Sequence, residues 1–244
     1  MTEGARRVLV LGGSSGIGRS LAVALGRHGD SVAIVGRRSA LVSQAAAAAG
    51  PASIALTADV TDAGRCREVV DEAAAALGGL DAVVYATGWS PIGRLASTGS
   101  DVWGDVLATN LVGAALVASA ALPHLARGRQ PMVALLSSHS VGRPWPGLVP
   151  YAASKAALDQ LALGLRDEES WLRVIRVVVG PTATSFADGW DPAESGPLFE
   201  RWDREGHLGH EVLQPDVVAA RILDAMDDPA AGDEVNAIGR LGME

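Results

Sequence analysis

Seven short apolar runs recur along the 244-residue chain, and helix-like stretches fill most of the gaps between them. The runs centre on Val8, Val32, Ile54, Val83, Val133, Val174 and Val235. Strands that alternate with helices are typical of βαβ units, in which right-handed crossovers join parallel strands. The alternation predicts an α/β fold: a single domain over residues 1–244, built on a doubly wound, parallel, seven-stranded sheet.

A glycine-rich turn follows the first of these runs. The sequence VLVL at residues 8–11 leads into GGSSGIG at residues 12–18, and an apolar-periodic helix comes next. Small residues between a strand and a helix let backbone N–H groups approach a pyrophosphate. Glycine also occurs in ordinary strand-to-helix turns, but after the first strand the pattern predicts a dinucleotide site. No Gly-Lys-Ser/Thr follows, so the turn is not a P-loop.

Two arginines, Arg37 and Arg38, follow the second apolar run, where no carboxylate is present. An acidic residue at this point binds an unphosphorylated ribose, whereas a guanidinium can bind a 2′-phosphate in bidentate fashion. The pair therefore predicts NADP(H) in preference to NAD(H). The alternative is that the arginines only solvate the start of the next helix, which is more credible for Arg38 than for Arg37.

Tyr151 and Lys155 are four residues apart, so a helix would place them on one face. A nearby ammonium favours the phenolate and lowers a tyrosine pKa from about 10, as an acid–base group requires. Ser138 ends the fifth apolar run, at the sheet edge where α/β proteins bind ligands. A hydroxyl there would hold the oxygen of a carbonyl or alcohol. A Tyr-x-x-x-Lys pair alone is often coincidence, so this interpretation depends on the other motifs.

Taken in order, these motifs resemble the short-chain dehydrogenase/reductase family, in its compact subgroup, over nearly the whole chain. The resemblance implies a Rossmann fold and four catalytic residues. Tyr151 would be the acid–base group, and Ser138 would position the substrate oxygen. Lys155 would lower the tyrosine pKa and bind the nicotinamide ribose, and Asn110 would hold a water in the proton relay.

The same resemblance implies the cofactor contacts. Asp59 and Val60 would line the adenine, and Thr184 would touch the carboxamide end of the cofactor. The expected cofactor-binding residues are Gly12, Ser14, Ser15, Gly16, Ile17, Gly18, Arg37, Arg38, Asp59, Val60, Ala86, Gly88, Tyr151, Lys155, Gly180 and Thr184.

Three positions depart from the family pattern. Leu11 stands where the glycine motif usually begins with threonine, and Gly180 precedes Pro181 where the family has Pro-Gly. The family's Asn-Asn-Ala-Gly appears as YATG at residues 85–88. Gly88 keeps the close backbone approach to the cofactor, whereas the polar bracing between strands is left open.

The segment 185–214 is rich in glycine and proline, and we interpret it as a substrate-binding lid. The alternative is a surface excursion with apolar anchors. An apolar pocket, suited to aromatic or alicyclic groups, is indicated by Trp89, Trp145, Trp190 and Trp202. His139 is a candidate substrate contact. No metal site is expected, because His207 and His210 lack a convincing third ligand.

The net charge of −8 and the pI of about 5.1 argue against nucleic-acid and anionic-membrane partners. No uninterrupted apolar stretch approaches eighteen residues, so no membrane span is expected. One cysteine, Cys66, suits a reducing compartment, and we expect a cytoplasmic protein. The family resemblance implies a homodimer or homotetramer formed through the helices that hold Asn110 and Tyr151.

The sequence thus predicts an NADP(H)-dependent oxidoreductase that interconverts a small, apolar carbonyl compound and its secondary alcohol by hydride transfer. Two alternatives stay open. One is a dinucleotide-binding sensor or scaffold without catalysis, and the other is a different reaction on the same scaffold, such as epimerisation or dehydration.

Overall fold

The computed structural model describes residues 4–209, 211–228 and 230–240. Its strands form one parallel sheet in the order β3-β2-β1-β4-β5-β6-β7, which confirms the predicted doubly wound, Rossmann-type sheet. The strands are β1 (Arg7–Leu11), β2 (Ser31–Gly36), β3 (Ser53–Thr57), β4 (Ala82–Tyr85), β5 (Met132–Ser138), β6 (Arg173–Val179) and β7 (Glu234–Ala237). The strand order reverses at β1, so a ligand crevice is expected beyond the carboxyl ends of β1 and β4.

Helices cover both faces of the sheet. They are α1 (Gly16–His28), α2 (Ser39–Ala49), α3 (Ala63–Leu77), α4 (Ser100–Leu107), α5 (Gly113–Leu125), α6 (Val149–Glu168), α7 (Pro192–Arg204) and α8 (Pro215–Asp227). A π-helical segment, Ala108–Val112, joins α4 to α5. Short 3₁₀ turns lie at Leu95–Ser97, His139–Val141 and Ser185–Ala187.

Alternate residues of each central strand enter different hydrophobic cores, because side chains point to opposite faces in turn. Leu9 and Leu11 of β1 pack with residues of α3, α5 and α6. Val8 and Val10 pack with residues of α1, α2 and α8. All four side chains are fully buried, and each such burial contributes about 1.5–3 kcal/mol. This two-sided burial explains why the strands appear in the sequence as continuous apolar runs.

The helical stretch Ser100–Leu125 is, among the described residues, the one helix long and apolar enough to cross a membrane, with a mean hydropathy of 1.8. Polar residues interrupt it, so it does not appear in the sequence as an uninterrupted apolar run. Ala114, Val117 and Ala121 are buried in the core that α5 shares with the sheet. Its apolar composition therefore matches that of a core helix.

Candidate active site

A cavity of about 930 Å³ opens at the carboxyl edge of the sheet. Its wall contains every predicted site residue except Asn110 and Gly18. These wall residues are Gly12, Ser14, Ser15, Gly16, Ile17, Arg37, Arg38, Asp59, Val60, Ala86, Gly88, Ser138, Tyr151, Lys155, Gly180 and Thr184. The fold thus brings the glycine-rich turn and the Ser–Tyr–Lys set into one cavity.

The glycine-rich turn lies directly against the loop that follows β4. Gly12 has a positive φ of 82°, and a Cβ there would lie 2.8 Å from the backbone of Ala86 and of Thr87. Gly18 lies in α1, where a Cβ would be 2.5 Å from the Gly12 carbonyl oxygen. Gly18 therefore allows α1 to pack on the turn, and this role explains why it does not line the cavity.

The N-terminus of α1 suits a phosphate group. Ser15 occupies the N-cap, but its side chain makes no capping hydrogen bond, and Ser15, Gly16 and Ile17 all line the cavity. An anion in the cavity can therefore accept hydrogen bonds from the first N–H groups of the helix. Together with the room left by Gly12, this arrangement fits the pyrophosphate of a dinucleotide cofactor.

The two arginines after β2 have different surroundings. Arg38 donates hydrogen bonds from Nη2 to Ser14 Oγ at 3.1 Å and to Ser15 Oγ at 2.8 Å, so it lies against the glycine-rich turn. Arg37 is 70% exposed, and its Nη1 is 3.7 Å from Asp59 Oδ2. Partial burial disfavours the charged form of Asp59, but hydrogen bonds from Thr61 and the nearby Arg37 guanidinium together outweigh burial and lower its pKa. The sequence favoured Arg37 as the functional arginine, whereas the structure places Arg38 against the glycine-rich turn.

Ser138, at the end of β5, and Tyr151, in the first turn of α6, meet across the cavity. Ser138 Oγ accepts hydrogen bonds from the Ser140 N–H at 3.1 Å and from the Ser140 hydroxyl at 2.9 Å. Those two bonds leave the hydroxyl hydrogen of Ser138 available for another oxygen. Sequence reasoning missed Ser140, because only the 3₁₀ turn at His139–Val141 brings it back towards Ser138.

The pKa of Tyr151 is raised rather than lowered. Burial raises it to about 12, and a hydrogen bond with Ser138 partly opposes the rise. Lys155 Nζ donates to the Leu136 carbonyl at 2.7 Å and lies 5.7 Å from the centre of the Tyr151 ring. Burial lowers the pKa of Lys155 to about 8, with Asp159 partly opposing. In this structure, the group that opposes the rise in the Tyr151 pKa is thus Ser138 and not Lys155. The Lys155 ammonium is bound to a backbone carbonyl, and burial disfavours its charged form.

Asn110 is fully buried behind the cavity, in the π-helical segment. Its Oδ1 accepts from the Trp89 N–H at 2.8 Å, and its Nδ2 donates to the Trp89 carbonyl and to Ser154 Oγ, both at 2.9 Å. Ser154 Oγ in turn donates to the Tyr151 carbonyl at 2.7 Å. Asn110 therefore connects the loop after β4 to the first turn of α6. The sequence carried no signal for Ser154 beyond its place between Tyr151 and Lys155.

Tyr85, in the divergent YATG motif, has a hydrogen bond to the same π-helical segment. Its hydroxyl donates to the Thr109 carbonyl at 2.6 Å, while the side chain is only 1% exposed. Burial raises the pKa of Tyr85 far above its usual range, so the hydroxyl keeps its proton. A Cβ on Gly113 would lie 2.6 Å from this oxygen, so glycine at 113 makes room for it. Polar bracing is thus present, directed to a helix rather than between strands.

The predicted lid is more regular than its composition suggests. Proline and glycine indicated an irregular segment, but α7 forms there because the Asp191 side chain caps the helix and Pro192 suits its first turn. Trp190 Nε1 donates to the Ser90 carbonyl at 3.0 Å, and Trp202 Nε1 donates to the Pro146 carbonyl at 2.8 Å. In this structure the segment is therefore docked on the loops after β4 and β5.

The remaining candidates divide between the cavity wall and its surroundings. All four predicted pocket tryptophans and His139 line the cavity. His207 packs against Trp145 with ring centres 5.1 Å apart, whereas His210 lies outside the described residues. Within the described part of the chain, no three histidine, cysteine or carboxylate side chains form a possible metal-ligand group.

Comparison with known proteins points in one direction. A family model described as short chain dehydrogenase matches residues 6–195. The putative ketoacyl reductase 2 of the granaticin polyketide synthase, from Streptomyces violaceoruber, is 36% identical over 149 residues, which are 60% of this chain and 60% of that protein. Glycine betaine reductase from Emericella nidulans is 33% identical over 91% of this chain and 17% of that protein. The chain thus spans less than two thirds of both relatives.

Solved structures show the same likeness. A short-chain dehydrogenase from Streptomyces avermitilis superposes with a TM-score of 0.83 at 28% identity, over 95% of this chain and 88% of that one. The match extends beyond the sheet to nearly the whole described fold.

Proposed function

Because the chain belongs to the short-chain dehydrogenase family, we propose that it is an NAD(P)-dependent oxidoreductase that interconverts a carbonyl and a secondary alcohol. The observation that carries this proposal is the meeting of Ser138, Tyr151 and Lys155 in the cavity that the glycine-rich turn also lines. A bound nicotinamide supplies the hydride, and the protein supplies orientation and proton transfer.

In the direction of reduction, Tyr151 donates its proton to the carbonyl oxygen. Its pKa of about 12 in the free site means that the proton is present at neutral pH. Ser138 holds the same oxygen with the hydroxyl hydrogen that its two bonds from Ser140 leave available. Asn110 acts indirectly. It donates to Ser154, which donates to the Tyr151 carbonyl, and these bonds hold the helical turn that carries the phenol.

We further propose that NADP(H) is preferred, with Arg38 as the principal contact to the 2′-phosphate. Arg38 already donates hydrogen bonds to Ser14 and Ser15 of the glycine-rich turn, whereas Arg37 forms an ion pair with Asp59. A hydrogen bond to a charged group contributes about 1.5–3 kcal/mol, so its loss weakens binding roughly 10- to 100-fold.

Titration with NADPH and with NADH, followed by nicotinamide fluorescence, tests this preference. We expect the unmodified protein to bind NADPH more tightly than NADH. Arg38→Ala should lose this advantage by weakening NADPH binding while NADH binding stays unchanged. The matched Arg37→Ala variant should lose less NADPH affinity. Tighter binding of NADH by the unmodified protein, or equal effects of the two substitutions, would contradict the assignment.

The reaction itself is tested by carbonyl-dependent oxidation of NADPH. We expect Tyr151→Phe to bind NADPH normally and to lose turnover. If the unmodified protein bound the cofactor but reduced no member of a broad carbonyl panel, a sensor or scaffold role would replace the proposal.

A further inference from the structure

The substrate end of the cavity is built from a continuous set of aromatic side chains, called here the aromatic row. It consists of Tyr151, Phe186, Trp190, Phe199, Trp202 and Trp145, all of which line the cavity. Ring centres of successive neighbours are 5.0 Å apart for Tyr151–Phe186, 5.6 Å for Phe186–Trp190 and 6.0 Å for Trp190–Phe199. Phe199–Trp202 and Trp145–Trp202 follow at 4.9 Å each. The row therefore starts at the phenol proposed to transfer the proton and extends over several rings.

The indole N–H groups of the row are already hydrogen-bonded within the protein. Trp190 and Trp202 donate their indole N–H groups to the backbone carbonyls of Ser90 and Pro146. These bonds fix the planes of both indoles. Trp202 is only 2% exposed and is packed within the row, whereas Phe199 is 40% exposed and offers ring surface to the cavity. Aromatic ligands bind such surfaces by offset stacking and edge-to-face contact.

The charged side chains of the wall lie mostly away from the row or are bonded within the protein. Arg37, Arg38 and Asp59 follow β2 and β3, and Asp188, between Phe186 and Trp190 in the chain, lines both this cavity and a smaller one at the start of α1. Lys155 lies beside Tyr151, but its ammonium donates to the Leu136 carbonyl. Arg143 is near the row, but its guanidinium donates to the Glu205 and Gly206 carbonyls at the end of α7. Beyond its Tyr151 end, the row thus has no ammonium beside it within the described wall, and the nearby Arg143 guanidinium is bonded to backbone carbonyls, so the surface that the row offers to a substrate is mainly apolar.

We infer that the substrate is a neutral aryl ketone or aryl carbinol, with its ring system against the aromatic row and its oxygen between Ser138 and Tyr151. Because the row continues past Phe186 to Trp190 and Phe199, a fused two-ring substrate contacts more of it than a single ring does. This inference depends on the proposed carbonyl chemistry, since the position of Tyr151 determines where the carbonyl must lie.

Matched ketones test the inference in the intact protein with NADPH. The pairs are 2-acetylnaphthalene with its fully saturated decalin analogue, and acetophenone with cyclohexyl methyl ketone. Each aromatic contact is expected to raise kcat/KM about 2- to 10-fold over the saturated analogue, and the naphthyl pair is expected to show the larger ratio. Equal or better reduction of the saturated ketones would overturn the inference while leaving the carbonyl reductase proposal intact.

Two variants assign the preference to the row. Phe199→Leu removes a ring whose side chain is 40% exposed, so folding is little affected, and we expect it to reduce the aryl-to-saturated ratio severalfold. Trp171→Leu is the matched control, because Trp171 is 42% exposed and lies outside the cavity wall. An unchanged ratio in Phe199→Leu, or an equal fall in Trp171→Leu, would refute the role of the row.

Two further outcomes separate the remaining explanations. A trimethylammonium aldehyde reduced in preference to 2-acetylnaphthalene would overturn the inference in favour of a cation held by ring faces. If NADPH bound but no carbonyl in the set were reduced, the proposed function would fail and the inference with it.

Discussion

The chain contains two tyrosines, and their hydroxyl groups have different partners. The Tyr85 hydroxyl donates to the Thr109 carbonyl inside the protein, whereas Tyr151 lines the cavity and has Ser138 as its partner. Replacement of either by phenylalanine removes a single oxygen and keeps the ring. We expect Tyr85→Phe to lower stability and retain turnover. We expect Tyr151→Phe to retain most of its stability and lose turnover.

The size of each effect follows from the contacts. A lost hydrogen bond costs about 1 kcal/mol, rising to about 3 kcal/mol if the part-buried Thr109 carbonyl is left without a partner. For a chain of this length each kcal/mol lowers Tm by about 2–4 °C, so Tyr85→Phe should melt roughly 2–12 °C below the unmodified protein. Loss of a general acid lowers turnover about 10²- to 10⁴-fold. Tyr151→Phe loses only the hydrogen bond with Ser138, so it should lower Tm by no more than about 2–4 °C.

Thermal unfolding followed by far-ultraviolet circular dichroism, and carbonyl-dependent NADPH oxidation below the melting range, measure the two properties separately. The NADPH affinity of both variants serves as the folding control at assay temperature. The reasoning is refuted if Tyr85→Phe melts with the unmodified protein, or if Tyr151→Phe keeps more than a tenth of its turnover.

Two further predictions concern Lys155 and Gly12. Burial lowers the pKa of Lys155 to about 8, below its ordinary 10.5. Between these two pH values the unfolded chain binds more protons at this group than the folded chain does. The contribution of Lys155 to the free energy of unfolding therefore rises with pH from about 8 to 10.5. Urea unfolding of the unmodified protein and of Lys155→Met at pH 7.5 and 10 should show this rise only in the former, and parallel pH dependences would contradict it. Gly12→Ala combines a positive φ with contact to Ala86 and Thr87, whereas a Cβ at Gly29 meets nothing within 4 Å at a φ of 103°. Gly12→Ala should therefore lose more stability than Gly29→Ala, by about 1–3 kcal/mol, together with NADPH affinity; equal losses in urea unfolding would exclude the contact.

The sheet was predictable because its physical cause is local. Buried parallel strands are apolar on both faces, so runs such as residues 8–11 are visible without knowledge of any partner. The cavity edge follows from the same pattern, since the carboxyl ends of parallel strands meet at one edge of the sheet. Ser138 and the glycine-rich turn could be placed there from the strand ends alone.

Side-chain direction at those strand ends was not predictable in the same way. Arg37 and Arg38 are adjacent and chemically identical, and only the folded turn shows that Arg38 reaches Ser14 and Ser15. The effect expected of Lys155 depended on a partner that spacing could not supply, because its ammonium is bound to the Leu136 carbonyl from the neighbouring strand. In both cases the sequence specified the chemistry of the group and the fold specified its partner.

The divergent YATG motif shows why such partners matter to the interpretation of a sequence. Judged alone, Tyr85 replaces a polar bracing residue with an aromatic one and raises the question of whether the site is intact. The structure shows that its hydroxyl reaches the Thr109 carbonyl, immediately before Asn110, and that this contact needs the absence of a Cβ at Gly113. Tyr85 and Gly113 are therefore physically dependent on each other: a Cβ at 113 would lie 2.6 Å from the hydroxyl oxygen and 2.7 Å from the Val60 carbonyl oxygen, so the hydroxyl or the helix would have to shift. A departure from a family motif can thus be a change of partner rather than a loss of bracing, and the partner can be recognised only when both positions are considered together.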